Sequence, residues 1–420
     1  MKIFDASIKI IKDSRGKDTL EAGLKTDNFS ALASAPSGKS RGAHEAFVLE
    51  PKMALEKFKE IKPQILAAFA SGRIETQEEF DNFLISLDDT PNKSNLGGNL
   101  TLVLSLAFAR LMAKNQGIEL FRYINQVSGF KLQVPKNTRP FFNVVNGGAH
   151  ATHPESKLDF QEFQIIPDTQ DFGLALGLGQ EFYRKLKEFL ENKFGKENVM
   201  LGDEAGFSCP FKNNEEAIEI LADLIVKHKY PLKIGLDTAA TQFYQSADQR
   251  GPDADSRGHY LVNGKKITAE ELKNFYLRLI ESYKILSIED PFYEDAFDDF
   301  STLSCVIVPK GVKIITDDLT TTNPERVKIA IDKKAGNAIL IKPDQIGTLT
   351  ETLKVVQLAY ENNWQTIVSH RSGETMDDFI ADLAVGINAW GFKAGAPAAA
   401  ERLIKYERIL QISNIKSQIF

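Results

Sequence analysis

The chain has 420 residues, 43% of them hydrophobic and 26% charged, with a formal net charge of −6. That length exceeds what one hydrophobic core normally supports, so two domains are expected. The negative balance excludes a basic field for nucleic acid and a polybasic membrane patch, and the two cysteines, Cys209 and Cys305, stand too far apart in context for a disulfide framework or thiolate cage.

In chain order, "KIFDASIKI" and "TLEAGLKT" alternate as short strands; a Gly/Ser-rich loop, "APSGKSRGAHEA", and helical patterns from Ala54 to Gln126 follow. The longest apolar stretch, "LTLVLSLAFARLMA", is interrupted by Ser105 and Arg110 and is too short to cross a bilayer, so a buried helix and no membrane span are expected. The first residues mix charge with apolar side chains and show no secretory cleavage pattern, which makes a cytoplasmic location the expectation. At "VSGFKLQVPKNTRP", Gly129, Pro135 and Pro140 break any regular element. Residues 1–130 are therefore expected to form a smaller α+β domain and residues 138–420 a larger one.

From there apolar strands recur: "KIGLD", "KILSIED", "VKIITDD", "NAILIK" and "QTIVSH". The charged residues at their ends, Asp237, Glu289, Asp317, Lys342 and His370, are 52, 28, 25 and 28 residues apart. The shorter spacings suit one βα unit each. Thr268 with Glu271 reads as a capping box, and Asn323 before Pro324 as a second helix start. Continuous apolar strands alternating with helices predict a parallel sheet covered by helices. No GxGxxG or Walker A pattern supports an open doubly wound sheet, whereas a closed (β/α)8 barrel of the TIM type gathers the charged strand ends on one face. The stretch "IVSHRSGET", a buried strand that finishes in Ser-His-Arg-Ser, would then end at the mouth of that barrel.

Singly, Asp237, Glu289 or Asp317 would cap a helix or join a structural ion pair. Three carboxylates at neighbouring strand ends repel one another unless a cation lies between them, and hard oxygen donors in that number suit Mg2+. The six histidines show no HxxxH spacing, which disfavours zinc. Lys342 after "AILI", beside a divalent cation and a second lysine, Lys393, is expected to lose proton affinity and serve as a general base. Glu204 in "GDEAG", alone a loop carboxylate, becomes a candidate general acid opposite it.

Over essentially its whole length the chain resembles the enolase family. The resemblance rests on "DSRG", "PSGKSRGAHEA", "NKSNLG", "NVVNGGAHA", "QEF", "GDEAGF", "GLD", "IEDPF", "DDLTTTNP", "KPDQIGTLTE", "SHRSGET" and "KAGAPAAAERL", in that order. It implies reversible dehydration of 2-phosphoglycerate to phosphoenolpyruvate with two Mg2+ per site, on an enolase-type barrel, in a homodimer, with 36–46 as a mobile loop of the smaller domain. It further implies that Asp237, Glu289 and Asp317 hold the first Mg2+, that Ser40 helps hold the second with the phosphate, and that Lys342 and Glu204 are base and acid. Arg371 and Ser372 match the phosphate-binding pair, His370 a pocket histidine, Lys393 a contact to the substrate carboxylate, and His150 and Glu162 residues of a second mobile loop. A lysine base beside Mg2+ is the known pattern of this superfamily. Departures from the usual pattern include a 150–162 loop three residues longer, Lys39 and Arg41 in the first lid, Ala205 for glycine, Gln242 for glutamate, Asp344 for asparagine and Ala399 for arginine. Another lyase or racemase of the superfamily, or a scaffold with an added binding role, are the alternatives.

Overall fold

In the computed structural model, which describes residues 3–39, 42–130, 138–246 and 258–416, the chain opens with three antiparallel strands. These are β1 (Asp5–Lys12), β2 (Asp18–Lys25) and β3 (Ser30–Ser34), with β2 in the centre. Helices α1 (Pro51–Ala70), α2 (Gln77–Asp88), α3 (Gly98–Asn115) and α4 (Leu120–Ser128) follow. The apolar stretch singled out above is α3, buried on nearly every side, which is why it carries no polar stripe. A capping box of Thr76 and Glu79 starts α2. Among the described residues no helix is long and apolar enough to cross a membrane.

Eight strands then close a barrel: Arg139–Asn146, Glu162–Pro167, Leu232–Asp237, Ile285–Glu289, Lys313–Thr316, Ala338–Ile341, Gln365–Ser369 and Gly391–Lys393. The eighth pairs with the first through Gly391 and Arg139, which leaves no open edge. The second strand runs antiparallel to both neighbours, which corrects the all-parallel expectation. The reason is local: the loop from 147 to 161 holds only the single 3-10 turn Gly148–His150, so the chain returns directly and both loop ends lie at the same mouth. The helix starts at Thr268 and Asn323 are present as read, the first with its full capping box and the second with Pro324 at the first turn.

Inside the barrel Phe141, Ile166, Ile315, Ala338, Leu340 and Ile367 pack together, while Ile339 and Ile341 on the opposite face of the sixth strand join the layer beneath the helices. This is the period-two alternation of a strand buried on both faces. Each of the isoleucine, leucine and phenylalanine side chains contributes about 1.5–3 kcal/mol on burial. With the interior filled, charge at the strand ends has only the mouth to occupy.

The small N-terminal elements sit against that mouth. Arg110 on α3 forks onto Asp377 at 2.6 and 2.8 Å and onto Asp378 at 2.8 Å, and Asp377 also accepts the Ser34 N–H at 2.9 Å. Paired donors in this geometry fix orientation as well as distance. Lys93 adds a nearly buried ion pair to Glu351 at 2.9 Å.

Candidate active site at the barrel mouth

Every predicted strand-end residue reaches the mouth. Asp237 and Glu289 are the last residues of adjacent strands and stand opposite each other in register, as Glu162 does to Asp237 from the antiparallel second strand. Asp317, Lys342 and His370 lie one residue beyond their strands, and Lys393 ends the eighth. His150 comes from the 3-10 turn, and Glu204 from the tight turn between Met200–Leu201 and Phe207–Ser208. One cavity of about 30 Å3 is lined by His150, Glu162, Glu204, Asp237, Asp317, Lys342, His370, Arg371, Ser372 and Lys393. That volume admits a water or two. Ser40 lies outside the described residues, as does Arg41.

The carboxylates are divided between two lysines. Lys393 Nζ stands 2.9 Å from Asp237 Oδ2, 2.9 Å from Glu289 Oε1 and 3.0 Å from Glu162 Oε2. Burial works against that ammonium, but Asp237, Glu162 and Glu289 outweigh it and hold its pKa well above the ordinary lysine value. Asp317 instead pairs with Lys342 at 2.5 Å and accepts from Gln345 Nε2 at 3.0 Å. Burial does push Lys342 down, yet the adjacent Asp317 carboxylate more than reverses it, so the amine is held protonated. Asp237 and Glu289 thus share Lys393, while Asp317 is taken by Lys342.

Across the cavity, Glu204 is positioned by Asn143, whose Nδ2 donates to Oε2 at 2.8 Å. His370 Nε2 lies 3.6 Å and His150 Nδ1 3.7 Å from the same carboxyl group. The His370 tautomer follows from its other nitrogen. Arg402 Nη1 is 2.5 Å from Nδ1, and a guanidinium can only donate, so Nδ1 accepts and the proton sits on Nε2 facing Glu204. Burial and then Arg402 hold His370 well below the usual histidine range, which keeps the ring neutral. Burial likewise lowers His150, against the pull of Glu162.

Beside this acid end lies a polar cradle. Arg371 is gripped by Glu45, with both guanidinium ends between 3.0 and 3.1 Å from its carboxylate, and Asp344 Oδ2 stands 3.0 Å from Nη1. Ser372 Oγ accepts from Arg15 Nη1 at 3.2 Å and from the Lys39 N–H at 2.8 Å. Ser37 and Gly373 exchange backbone hydrogen bonds, which lays the start of the first loop over the SHRS turn. Lys39 Nζ also reaches Asp203, next to Glu204, at 3.5 Å.

Several of these residues were not singled out from sequence: Arg15, Glu45, Asn143, Gln345 and Arg402. Each lies within a quoted Gly-rich or polar motif, and that is the signal that could have found them. Asn146 is a further case. Its amide atoms are buried without a hydrogen-bond partner among the described residues, and a Cβ at Gly202 or Gly206 would lie 2.6 or 2.3 Å from its Oδ1. Ala205 between those glycines holds φ at 61°, the left-handed region where the family's usual glycine meets no penalty.

The residues fit a hard divalent cation. Lys393 is itself a stand-in, a positive centre with three carboxylates from three strands within 3.0 Å. Two further groups bring ligand atoms close together: His150, Glu162 and Glu204, and Asp290, Asp317 and Asp318. Oxygen donors dominate all of them, which suits Mg2+ rather than a softer ion.

Comparison with known proteins agrees with this geometry. Residues 3–124 match the family description "Enolase, N-terminal domain" and residues 135–418 match "Enolase, C-terminal TIM barrel domain". The chain is 40% identical to "Enolase" of Methanocaldococcus jannaschii, over 98% of its own length and 95% of that protein's. It is 41% identical to "Enolase" of Aeropyrum pernix, over 96% and 92%, and 39% identical to "Enolase B" of Dictyostelium discoideum, over 98% and 94%. With the barrel, the charged mouth and both halves of the sequence in agreement, the chain belongs to the enolase family.

Proposed function

We propose that the chain catalyses the reversible, Mg2+-dependent dehydration of 2-phospho-D-glycerate to phosphoenolpyruvate and water, a carbon–oxygen hydro-lyase step of glycolysis and gluconeogenesis. The observation that carries it is a single cavity lined by a lysine, a carboxylic acid, an arginine–serine pair and a surplus of carboxylates. In the forward direction Lys342 Nζ takes the proton from C2. Glu204 delivers a proton to the C3 hydroxyl as the C3–O bond breaks, so that water leaves and the C2=C3 bond forms. Lys342 is competent only when Asp317 is engaged elsewhere, because that carboxylate holds the proton on the amine.

Asn143 and the Nε2–H of neutral His370 orient Glu204. Arg371 and Ser372 receive the phosphate, for which a guanidinium fork and a hydroxyl are suited donors even in an acidic chain. Lys393 lies toward the substrate carboxylate, and His150 and Glu162 belong to a second loop that closes over it. Two Mg2+ fit the reading, one on Asp237, Glu289 and Asp317 and one shared by Ser40 and the phosphate; when bound they would neutralise the charge that develops on the substrate carboxylate. Residues 1–130 serve as the capping domain, with 36–46 as its mobile loop, and 138–420 as the catalytic barrel. A cytoplasmic homodimer completes the proposal. No observation favours the racemase or binding-scaffold alternatives.

The direct test follows phosphoenolpyruvate absorbance from 2-phosphoglycerate with Mg2+ and after exhaustive chelation. Product formed only with the metal supports the proposal, and full activity after chelation overturns it.

A further inference from the structure

Arg371 carries more negative charge than a phosphate site calls for. Glu45 binds both ends of its guanidinium and Asp344 holds Nη1 as well, all with little solvent contact. The two carboxylates differ in freedom. Glu45 belongs to the loop of the small N-terminal domain and can withdraw with it. Asp344 sits in the single helical turn Pro343–Ile346 directly after Lys342, so its backbone is held at the mouth and its short side chain keeps the carboxylate close to Arg371. A phosphate dianion arriving at Arg371 therefore meets a fixed carboxylate in a buried setting, where like charges oppose one another strongly. The asparagine usual at this position would offer the same shape without the charge.

Resting on the reading of Arg371 as the phosphate site, we propose that Asp344 makes substrate binding proton-linked: its carboxylate takes up one proton from solvent as the phosphate replaces it on Arg371, and releases it when the product leaves. The groups facing Asp344 are Arg371, Glu45, Lys342 and Glu374, with Asp377 and Lys405 across a small neighbouring cavity. Lys405 is committed to Glu374 at 3.0 Å and Asp377 to Arg110 at 2.6 Å, so neither offsets the new charge. Burial already pushes the Asp344 carboxyl up to about 6 against the pull of Arg371. A phosphate at hydrogen-bond distance from the same guanidinium moves it further in that direction.

The test compares wild type with Asp344→Asn and Asp344→Ser at saturating Mg2+ between pH 6 and 9, after melting curves establish that each variant folds. KM for 2-phosphoglycerate in the wild type rises by up to about tenfold per pH unit above the carboxyl's range, the limit for one linked proton, and by less than about threefold over the whole range in the variants. The effect falls on KM more than on kcat. Calorimetry of phosphoenolpyruvate binding in two buffers of different ionisation enthalpy reads about one more proton taken up by the wild type than by Asp344→Asn. Identical KM profiles and proton uptake in wild type and variants overturn the inference. Arg371→Gln separates the two readings. If it raises KM while Asp344→Asn behaves as wild type, only the proton linkage fails; if it leaves KM unchanged, the phosphate assignment itself fails.

Discussion

Replacing Arg402 by methionine is the perturbation with the widest reach. Arg402 is fully buried, and its guanidinium donates to the carbonyls of Arg371 at 2.8 Å, Ser372 at 2.7 Å and Asp203 at 3.0 Å, besides His370 Nδ1. One side chain thus ties the turn that carries Arg371 and Ser372 to the turn that carries Glu204. Methionine fills much of the volume but leaves three carbonyls unpaired, at about 1–1.5 kcal/mol each, so the expected loss is about 3–5 kcal/mol. The lost desolvation cost of the charge keeps the figure from going higher. Urea unfolding followed by fluorescence measures it, because both tryptophans, Trp364 and Trp390, lie in the barrel segment. Catalytic efficiency should fall further than stability at temperatures where the variant is folded, since the turn of Arg371 and Ser372 and the turn of Glu204, proposed to hold the phosphate and the acid, both lose their shared anchor. A loss below about 1 kcal/mol with unchanged kcat/KM would show that the carbonyls find other donors and that the anchor is incidental.

Three further outcomes follow from particular contacts. Lys342→Ala should abolish exchange of the C2 proton with solvent, while Glu204→Gln should abolish turnover yet retain some exchange, because proton removal can precede departure of the hydroxyl; isotope exchange read by NMR tests it, and equal loss in both variants contradicts the proposed roles. Asp81, buried between Gln77, Ser105 and Thr350, has its carboxyl raised by burial from 3.8 to about 6. A raised carboxyl favours the fold while protonated, so its contribution is present below pH 3.8 and lost as pH rises through about 6; wild type should lose about 3 kcal/mol relative to Asp81→Asn across that window, and parallel stability curves would refute it. For the proposed homodimer, the family resemblance implies that a glutamate matching Glu21 commonly meets a C-terminal arginine across the interface; here that position is Gln411, and Glu21 pairs with Lys9 at 2.7 Å in its own chain. Sedimentation should therefore show dissociation with little salt dependence, and steep dissociation by salt would contradict that.

The parts of this molecule that were legible in the sequence are those where one chemical requirement acts on one short segment. A barrel strand must be apolar until it leaves the core, so its first charged residue marks the mouth, and Asp237, Glu289, Asp317, Lys342 and His370 were found that way. Caps at Thr268 and Asn323 are equally local. The antiparallel second strand was missed because direction depends on how the 147–161 loop returns, which no periodicity encodes. Pairings were hidden for the same reason: Glu45 with Arg371, or Arg402 with Asp203, join residues hundreds of positions apart.

Lys342 shows what this costs a purely chemical argument. From the sequence this amine was placed beside a divalent cation and a second lysine, and its pairing with Asp317 was not read; with the protein's own groups alone, the nearest neighbour decides whether it gains or loses proton affinity. Coulomb energy falls with distance, and Asp317 at 2.5 Å therefore decides the matter against the rest. The same reasoning separates the two lysines. Lys393 is shared among three carboxylates and no single displacement frees it, whereas Lys342 depends mainly on one. In the proposed reaction, drawing Asp317 away would free Lys342 to act as the base while Lys393 keeps its charge, an asymmetry that lets two lysines in one cavity take the opposite roles proposed for them.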